Sequence, residues 1–371
     1  MHSANGAGGS RLHTFLLVFV AAAVTLVTLA GLKEEAVAFD LVTVYVPAAE
    51  RVLDGESPFP AEDDPVWEGH QAYVYPPLTA LLAVPLSVLP ESALRWVAVL
   101  LALGVLLFSL WVAGVRDPRC YAAFALWPPT LTAWQNANVT ALLLLAVALS
   151  WRFRDSWPKV GAALGLGIAL KLLLWPLSLW LLMTKRTRAA VVSVVVAAAA
   201  LAGSWAVIAF EGLVSYPDLL SRLTEVEGDN GHGVSIYQGV VGFGLPSVLG
   251  HGVSVVACAA FLAGALVLAR RGDDRGSFTL ALVAVLAVTP LVWLHYLTFL
   301  AIPLAIYRPR LSGAWAIPWL FWAIALPWPF EPRRLLAFVV VGLLVTRLLT
   351  TPAGPRTTGI PARTPAVEAP R

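Results

Sequence analysis

Residues 161–183 read GAALGLGIALKLLLWPLSLWLLM, with one charge, Lys171, near the middle and one proline, Pro176. An apolar stretch of about 20 residues reads as a membrane span. Here the pattern divides into 161–172 and 174–184. At about 1.5 Å per residue each piece covers roughly 18 Å, short of a hydrocarbon core of about 30 Å. The two pieces read as a hairpin that enters from one side and turns at depth. Such a turn is tolerated only where protein or a water-filled cavity surrounds it. Gly161, Gly165 and Gly167 allow close approach of neighbouring helices. The stretch therefore implies a polytopic bundle around it.

The rest of the chain supplies that bundle. Of 371 residues, 59% are hydrophobic and 13% charged, and the mean hydropathy is +0.78. A soluble domain carries about 25% charged residues. This excludes soluble enzymes, nucleic-acid binders and disordered hubs. Besides the hairpin, apolar stretches at 12–32, 93–114, 120–134, 138–150, 189–210, 252–270, 277–291, 296–307, 312–328 and 334–349 read as spans, about twelve in all. Arg11 and the following apolar block, then Ala36-Val37-Ala38, resemble a signal peptide. The block is longer than the roughly 7–15 residues of a signal core, so we read a retained first helix. The expected fold class is an all-α integral membrane protein, a polytopic helix bundle. A single domain spans 1–350 and a disordered cytoplasmic tail follows at 351–371.

Charge sets the orientation. The short loops carrying Arg116, Arg119, Arg152, Arg154, Lys159, Lys185, Arg186, Arg188, Arg270, Arg271, Arg275, Arg308 and Arg310 share one face with Arg11, Arg347 and the tail. Most acidic residues fall instead in 33–92 and 211–231. Basic loops stay cytoplasmic. Both termini are therefore expected on the cytoplasmic side of the plasma membrane, and the loops 33–92 and 211–250 outside. This requires 76–89 to lie along the outer interface. Cys120 and Cys258 sit in apolar blocks, and no phosphate-loop, dinucleotide or metal-ligand spacing is present, so no cofactor and no metal are expected.

Long external loops on a packed scaffold are where function sits. In 41–60, Leu41, Val44, Tyr45, Ala48, Ala49, Val52 and Leu53 recur at helical spacing, which predicts an interfacial amphipathic helix ending at Asp54-Gly55. Asp40 begins it, either as a helix N-cap or as a carboxylate facing a membrane-level cavity. Tyr73 and Tyr75, ahead of Pro76-Pro77, read as an interfacial anchor or as the wall of a lipid or sugar site. Gln135, Asn136 and Asn138 read as turn chemistry, and Asn138-Val139-Thr140 matches a glycosylation sequon. Lys171 either snorkels or faces an anionic head group, because an ionisable residue inside a membrane is a functional candidate by default. His295, in TPLVWLHY (289–296), is either a satisfied interfacial residue or the third member of a phosphate-and-sugar site with Asp40 and Lys171. Glu225, Glu227, Asp229, Asn230 and His232 read as a solvated run or as a carbohydrate or metal contact.

The ordered set FDLVTVYVPAAERVLDGESPF (39–59), YVYPPLTALLAVPL (73–86), WQNANVTALLLL (134–145), GLGIALKLLLWPL (165–177) and TPLVWLHY resembles glycosyltransferase family 87, membrane enzymes of the GT-C type. The resemblance covers roughly residues 12–310. It implies an actinobacterial α-mannosyltransferase that takes mannose from a polyprenol-phosphate donor and acts in the outer leaflet. It also implies inversion, with Asp40 as general base and Lys171 and His295 at the donor phosphate. Tyr45, Tyr75, Gln135, Asn136, Asn138, Trp293 and Tyr296 are then the expected substrate contacts, and the acceptor is expected to be a glycolipid. Two positions depart from the family pattern. Tyr296 stands where a second histidine is usual, and Gln135-Asn136-Ala137-Asn138 stands in place of Gly-Gln-x-Asn. The other classes compatible with the chain are a transporter or flippase of lipid-linked sugars and a non-catalytic envelope-assembly partner. The first predicts pseudo-symmetric halves, and the second predicts that Asp40 is dispensable.

Overall fold

The structure, a computed structural model, describes residues 5–31, 33–69, 71–228, 233–325 and 330–350. The tail 351–371, and Asp229, Asn230 and His232, lie outside the described residues. The helices in chain order are α1 (Asn5–Gly31), α2 (Val46–Leu53), α3 (Pro77–Ser87), α4 (Glu91–Val112), α5 (Pro118–Ala125), α6 (Pro128–Gln135), α7 (Thr140–Arg152) and α8 (Trp157–Leu170). They continue with α9 (Pro176–Met183), α10 (Thr187–Val207), α11 (Tyr216–Gly228), α12 (Ile236–Gly242), α13 (Ser247–Arg270), α14 (Asp274–Val288), α15 (Ala301–Tyr307) and α16 (Phe330–Leu349). Among the described residues there is no β-strand, and one isolated bridge joins Gly233 to Trp293.

Among the described residues, the apolar stretches read as spans are helical, but the helices differ in kind. Among the described residues, α4, α10 and α13 are long and apolar enough to cross a membrane alone. Helices α6 and α7 qualify only as a pair, bent by 120°. The stretch 120–134, expected as one span, is broken into α5 and α6. Pro128 and Pro129 are accepted in the first turn of α6 but cannot continue α5. The stretch 296–307 is a 3₁₀ helix at Leu294–Leu300 running into α15. Gly313–Ala325 is 3₁₀ throughout, with Pro318 inside it. At about 2.0 Å per residue, a 3₁₀ helix reaches further per residue than an α-helix.

The first-loop helix also departs from expectation. Leu41–Tyr45 is a π-helical turn, and α2 begins only at Val46. Pro47 has no N–H to offer Thr43, and the Val46 N–H reaches back to the Leu41 carbonyl instead. Its apolar face is turned into the protein. Leu41, Val44, Tyr45, Ala48 and Ala49 are buried and pack on α3. In the second loop, α11 and α12 order a segment read as a charge run, and Glu227 is buried rather than solvated.

The two short apolar pieces form a helical hairpin, whose far ends meet where Arg186 reaches Asp155 at 3.1 Å. Helix α8 ends at Leu170, and α9 returns after a 3₁₀ turn at Leu172–Leu174. Helices α8 and α10 pack closely through the glycines: a methyl on Gly165 would lie 2.6 Å from the Ser193 carbonyl oxygen. Ser178 of α9 meets Ser193 of α10 at 3.0 Å between hydroxyls. Helices α4, α10 and α13 turn apolar residues such as Leu100, Val195 and Val256 outward, as lipid contact requires. At one end of the bundle, Asp274 pairs with Arg186 and Arg154, and Asp117 pairs with Arg119 while accepting from the Leu311 N–H.

The α8–α10 contact yields a paired test. Gly165→Ala is expected to cost roughly 1–3 kcal/mol through overpacking. Gly104→Ala, where an added methyl meets nothing within 4 Å, should be neutral or stabilising. Thermal midpoints of the two purified proteins in one detergent measure the difference. Equal midpoints would contradict the close helix contact.

Candidate active site

Five separate stretches meet at one buried polar cluster. The start of the first loop is pinned from two sides. Arg95 of α4, held by Glu91, donates to the Val37 carbonyl at 2.6 Å. The Ala38 and Asp40 N–H groups donate to the carbonyls of Gln135 at 2.7 Å and Asn136 at 3.1 Å. Gln135 and Asn136 thus act here through their backbone. The α6–α7 bend passes through Ala137, whose φ of 49° is left-handed, and this turns Asn138 inward.

Asn138 is buried, so its sequon is not a reachable acceptor. Its Oδ1 accepts from the Thr140 N–H at 2.8 Å and from the Thr140 hydroxyl at 2.6 Å. Those two donors fix the amide orientation. Nδ2 must then face Asp40, and it donates to Asp40 Oδ2 at 2.6 Å. The Asp40 side chain makes no capping bond to its own helix, so the N-cap reading is set aside. Asp40 lies in the first loop, outside the spans. Burial pushes its carboxyl up to about 6, against the opposing pull of the Asn138 hydrogen bond and of the Lys171 charge.

Lys171 stands at the hairpin turn with extended backbone, φ −157°. Thr79 of α3 donates to the Leu170 carbonyl at 2.9 Å and ties the turn to the YPPL helix. The ammonium does not snorkel. It lies 4.5 Å from the Tyr75 ring centroid and 4.7 Å from that of Tyr296, and it donates to the Tyr296 hydroxyl. Tyr75 meets Tyr45 edge to face at 5.0 Å, and Tyr45 OH accepts from the Val139 N–H at 3.3 Å. His295 packs its ring on Tyr296 at 4.7 Å, and its buried Nε2 has no hydrogen-bond partner among the described residues. The 290–293 segment leading to them is held by the second loop. Val234 N–H donates to the Val292 carbonyl at 2.7 Å, and Ser235 donates to the Pro290 carbonyl at 2.5 Å.

Two cavities reach this cluster. One of about 250 Å³ is lined by Lys171, Trp293, Tyr296, Thr289, Trp175 and Tyr216. The other, about 310 Å³ and almost wholly apolar, lies between α3, α4 and α7 and reaches Tyr45 and Asn138. The structure therefore brings together Asp40, Asn138, Tyr45, Tyr75, Lys171, His295 and Tyr296, with Trp293 on the cavity wall. Sequence reading missed Thr79, Trp175 and Tyr216. Thr79 stood in a quoted motif, but a single hydroxyl on an apolar helix carries no signal of its own.

The profile described as "Glycosyltransferase family 87" matches residues 73–293. The chain belongs to that family. It is a glycosyltransferase, and the transporter and non-catalytic readings are set aside. Two curated relatives are similar to it. Both are named "Polyprenol-phosphate-mannose-dependent alpha-(1-2)-phosphatidylinositol pentamannoside mannosyltransferase". The one from Mycobacterium tuberculosis (strain CDC 1551 / Oshkosh) is 28% identical over 295 residues, covering 69% of this chain and 68% of the relative. The one from Mycolicibacterium smegmatis (strain ATCC 700084 / mc(2)155) is 25% identical over 283 residues, covering 69% and 67%. No solved structure matches the chain.

The raised Asp40 pKa has a consequence for the stability of the glycosyltransferase. The folded state holds the proton more tightly than the unfolded chain, whose carboxyl sits near 3.8. Stability therefore falls as pH rises from about 4 to about 6, and the cost of the buried charge is fully present above that. Asp40→Asn should then raise the thermal midpoint at pH 7.5, by at most about 3 kcal/mol in stability. The gain should disappear toward pH 4. A midpoint that falls at pH 7.5 would make the carboxylate a structural support.

Proposed function

We propose that this glycosyltransferase moves a mannosyl residue from polyprenol-phosphate-mannose to a lipid-linked glycan on the outer face of the plasma membrane. The observation that carries the reading is the joining of Asp40, through Asn138, to the cluster that holds Lys171, in a chain of this family. The names of the two relatives support the donor and a phosphatidylinositol-mannoside type of acceptor. The charge distribution supports the sidedness, with both termini cytoplasmic. About twelve crossings in a GT-C arrangement accommodate the broken and half-length helices.

In the proposed step, Asp40 takes the proton from an acceptor hydroxyl as its oxygen attacks the anomeric carbon. The new bond to the acceptor forms on the face opposite the phosphate. The bond from the anomeric carbon to the phosphate oxygen breaks, and its electron pair leaves on the polyprenol phosphate. Attack from that face inverts the centre and converts a β-linked donor into an α-mannoside. Phosphate is a good leaving group, so no general acid is needed. Lys171, on the wall of its cavity, stabilises the growing phosphate charge, and His295 supplies a buried nitrogen behind Tyr296. Tyr296 stands where the family usually has a second histidine, and its hydroxyl holds Lys171 in place. Tyr45, Tyr75 and Trp293 offer aromatic faces to the sugar. The apolar cavity beside α3 offers room for a lipid chain that enters sideways from the bilayer.

The test uses purified protein in liposomes with radiolabelled polyprenol-phosphate-mannose and an envelope glycolipid extract. The parent should transfer label to glycolipid, and Asp40→Asn should lose about 10²–10⁴-fold, the usual worth of a positioned base. Lys171→Met should lose transfer as well. Undiminished transfer by Asp40→Asn would end the base assignment, and a folded parent that transfers nothing would end the donor assignment.

A further inference from the structure

The basic end of the bundle carries a second feature that glycosyl transfer does not use. A hollow of about 500 Å³ opens there among the 153–157 loop, the α9–α10 turn and the first residues of α10. Helix α7 runs from Asn138 to this end, and α8 runs from it to Lys171. At 1.5 Å per residue the hollow lies roughly 20 Å from the candidate active site. Its arginines are partly neutralised. Arg186 makes a bidentate pair with Asp274, at 2.9 Å for each bond, and reaches Asp155 at 3.1 Å. Arg154 stacks on Trp151 and lies 3.3 Å from Asp274. Lys185 and Arg188 complete the rim. Both are exposed, and neither has a carboxylate partner among the described residues. Four cations thus face two carboxylates.

The local backbone marks Lys185 as unusual. Helix α9 ends in a Schellman turn, with the Arg186 N–H on the Leu181 carbonyl at 2.7 Å and the Lys185 N–H on the Leu182 carbonyl at 3.0 Å. Lys185 occupies the left-handed position at φ 61°, where glycine is the residue of least strain.

The surface beside this rim is built for a hydrocarbon chain. An apolar groove of about 580 Å³ lies between α9 and α10, from Leu182 and Ala190 to Leu201. Thr187, on the hollow, recurs with Val191, Val194, Val195 and Ala198 at helical spacing, so the rim and the groove share one face of α10. Trp157, exposed at the hollow, suits the level of the lipid head groups. A cationic rim above a chain-width apolar groove is complementary to a phospholipid.

We propose that this face binds an anionic glycerophospholipid of the adjoining leaflet, its phosphate at Lys185, Thr187 and Arg188 and one acyl chain in the α9–α10 groove. The proposal rests on α8–α10 lying in the bilayer and not on the transfer reaction. Its failure is therefore separate from any failure at Asp40.

The experiment is native mass spectrometry of the delipidated full chain in detergent. The probes are phosphatidylglycerol and phosphatidylcholine of identical acyl chains, each with and without excess inorganic phosphate. The parent should retain phosphatidylglycerol in preference to phosphatidylcholine, and inorganic phosphate should not displace it. Lys185→Gly with Arg188→Gln should weaken phosphatidylglycerol retention by about fivefold for each cation removed. Lys185→Gly relieves the left-handed strain, so the variant's lipid-free thermal midpoint should match or exceed the parent's. A second variant, Ala198→Phe, fills the groove without touching charge and should weaken retention of phosphatidylglycerol too. Equal retention of the two lipids by the parent, an unchanged phosphatidylglycerol preference in the charge variant, or displacement by inorganic phosphate would each overturn the proposal.

Discussion

The hydrogen bond from Asn138 Nδ2 to Asp40 Oδ2, 2.6 Å long, joins parts of the chain that share no local structure. Asp40 follows α1 in the chain, and Asn138 lies at the bend between α6 and α7. The bond holds only because both sides are immobilised. Thr140 occupies the amide oxygen of Asn138, and the carbonyls of Gln135 and Asn136 hold the backbone of Ala38 and Asp40. A buried carboxylate with a single partner is costly to keep ionised. Burial raises the Asp40 carboxyl to about 6, the kind of shift that marks a candidate functional group.

The remaining architecture delivers a cation to the same place. A full-length helix would carry Lys171 across the membrane. The short hairpin turns inside the bundle instead, where Tyr75 and Tyr296 take the contacts that water would otherwise supply. Thr79 fixes the hairpin tip, and the close α8–α10 packing through Gly161 and Gly165 fixes its stem. The second loop braces the segment leading to His295 and Tyr296. Two of the breaks supply the cluster: the α6–α7 bend gives Asn138 and the backbone carbonyls of Gln135 and Asn136, and the α8–α9 turn gives Lys171.

Much of this was legible in the sequence where a costly residue sat in an apolar setting. Lys171 between two short apolar runs gave the hairpin and the site together. Asp40 was legible as a candidate because it is a carboxylate that opens an amphipathic segment directly after the first apolar stretch. Its partner was not, since the amides at 135–138 read equally well as turn chemistry and only the left-handed Ala137 turns Asn138 inward. Pro47 carried the signal for the π-turn, and Trp127-Pro128-Pro129 for the break between α5 and α6, but hydropathy overrode both. The burial of Glu227 depends on contacts between distant segments, which periodicity cannot report. Family resemblance pointed to Tyr296 as a departure. The structure gives that departure a physical role, a hydroxyl that accepts from Lys171.

The central claim is that the ionisation of Asp40, set by burial and by Asn138, controls transfer. The pH dependence of single-turnover transfer by the parent and by Asn138→Ala tests it most directly. The parent should lose rate as pH falls through about 6. Removing the hydrogen bond that favours the charged carboxylate should move this acid limb to higher pH, while the rate well above it is partly retained. An acid limb that is absent in the parent, or that stays in place when Asn138 is removed, would contradict the account.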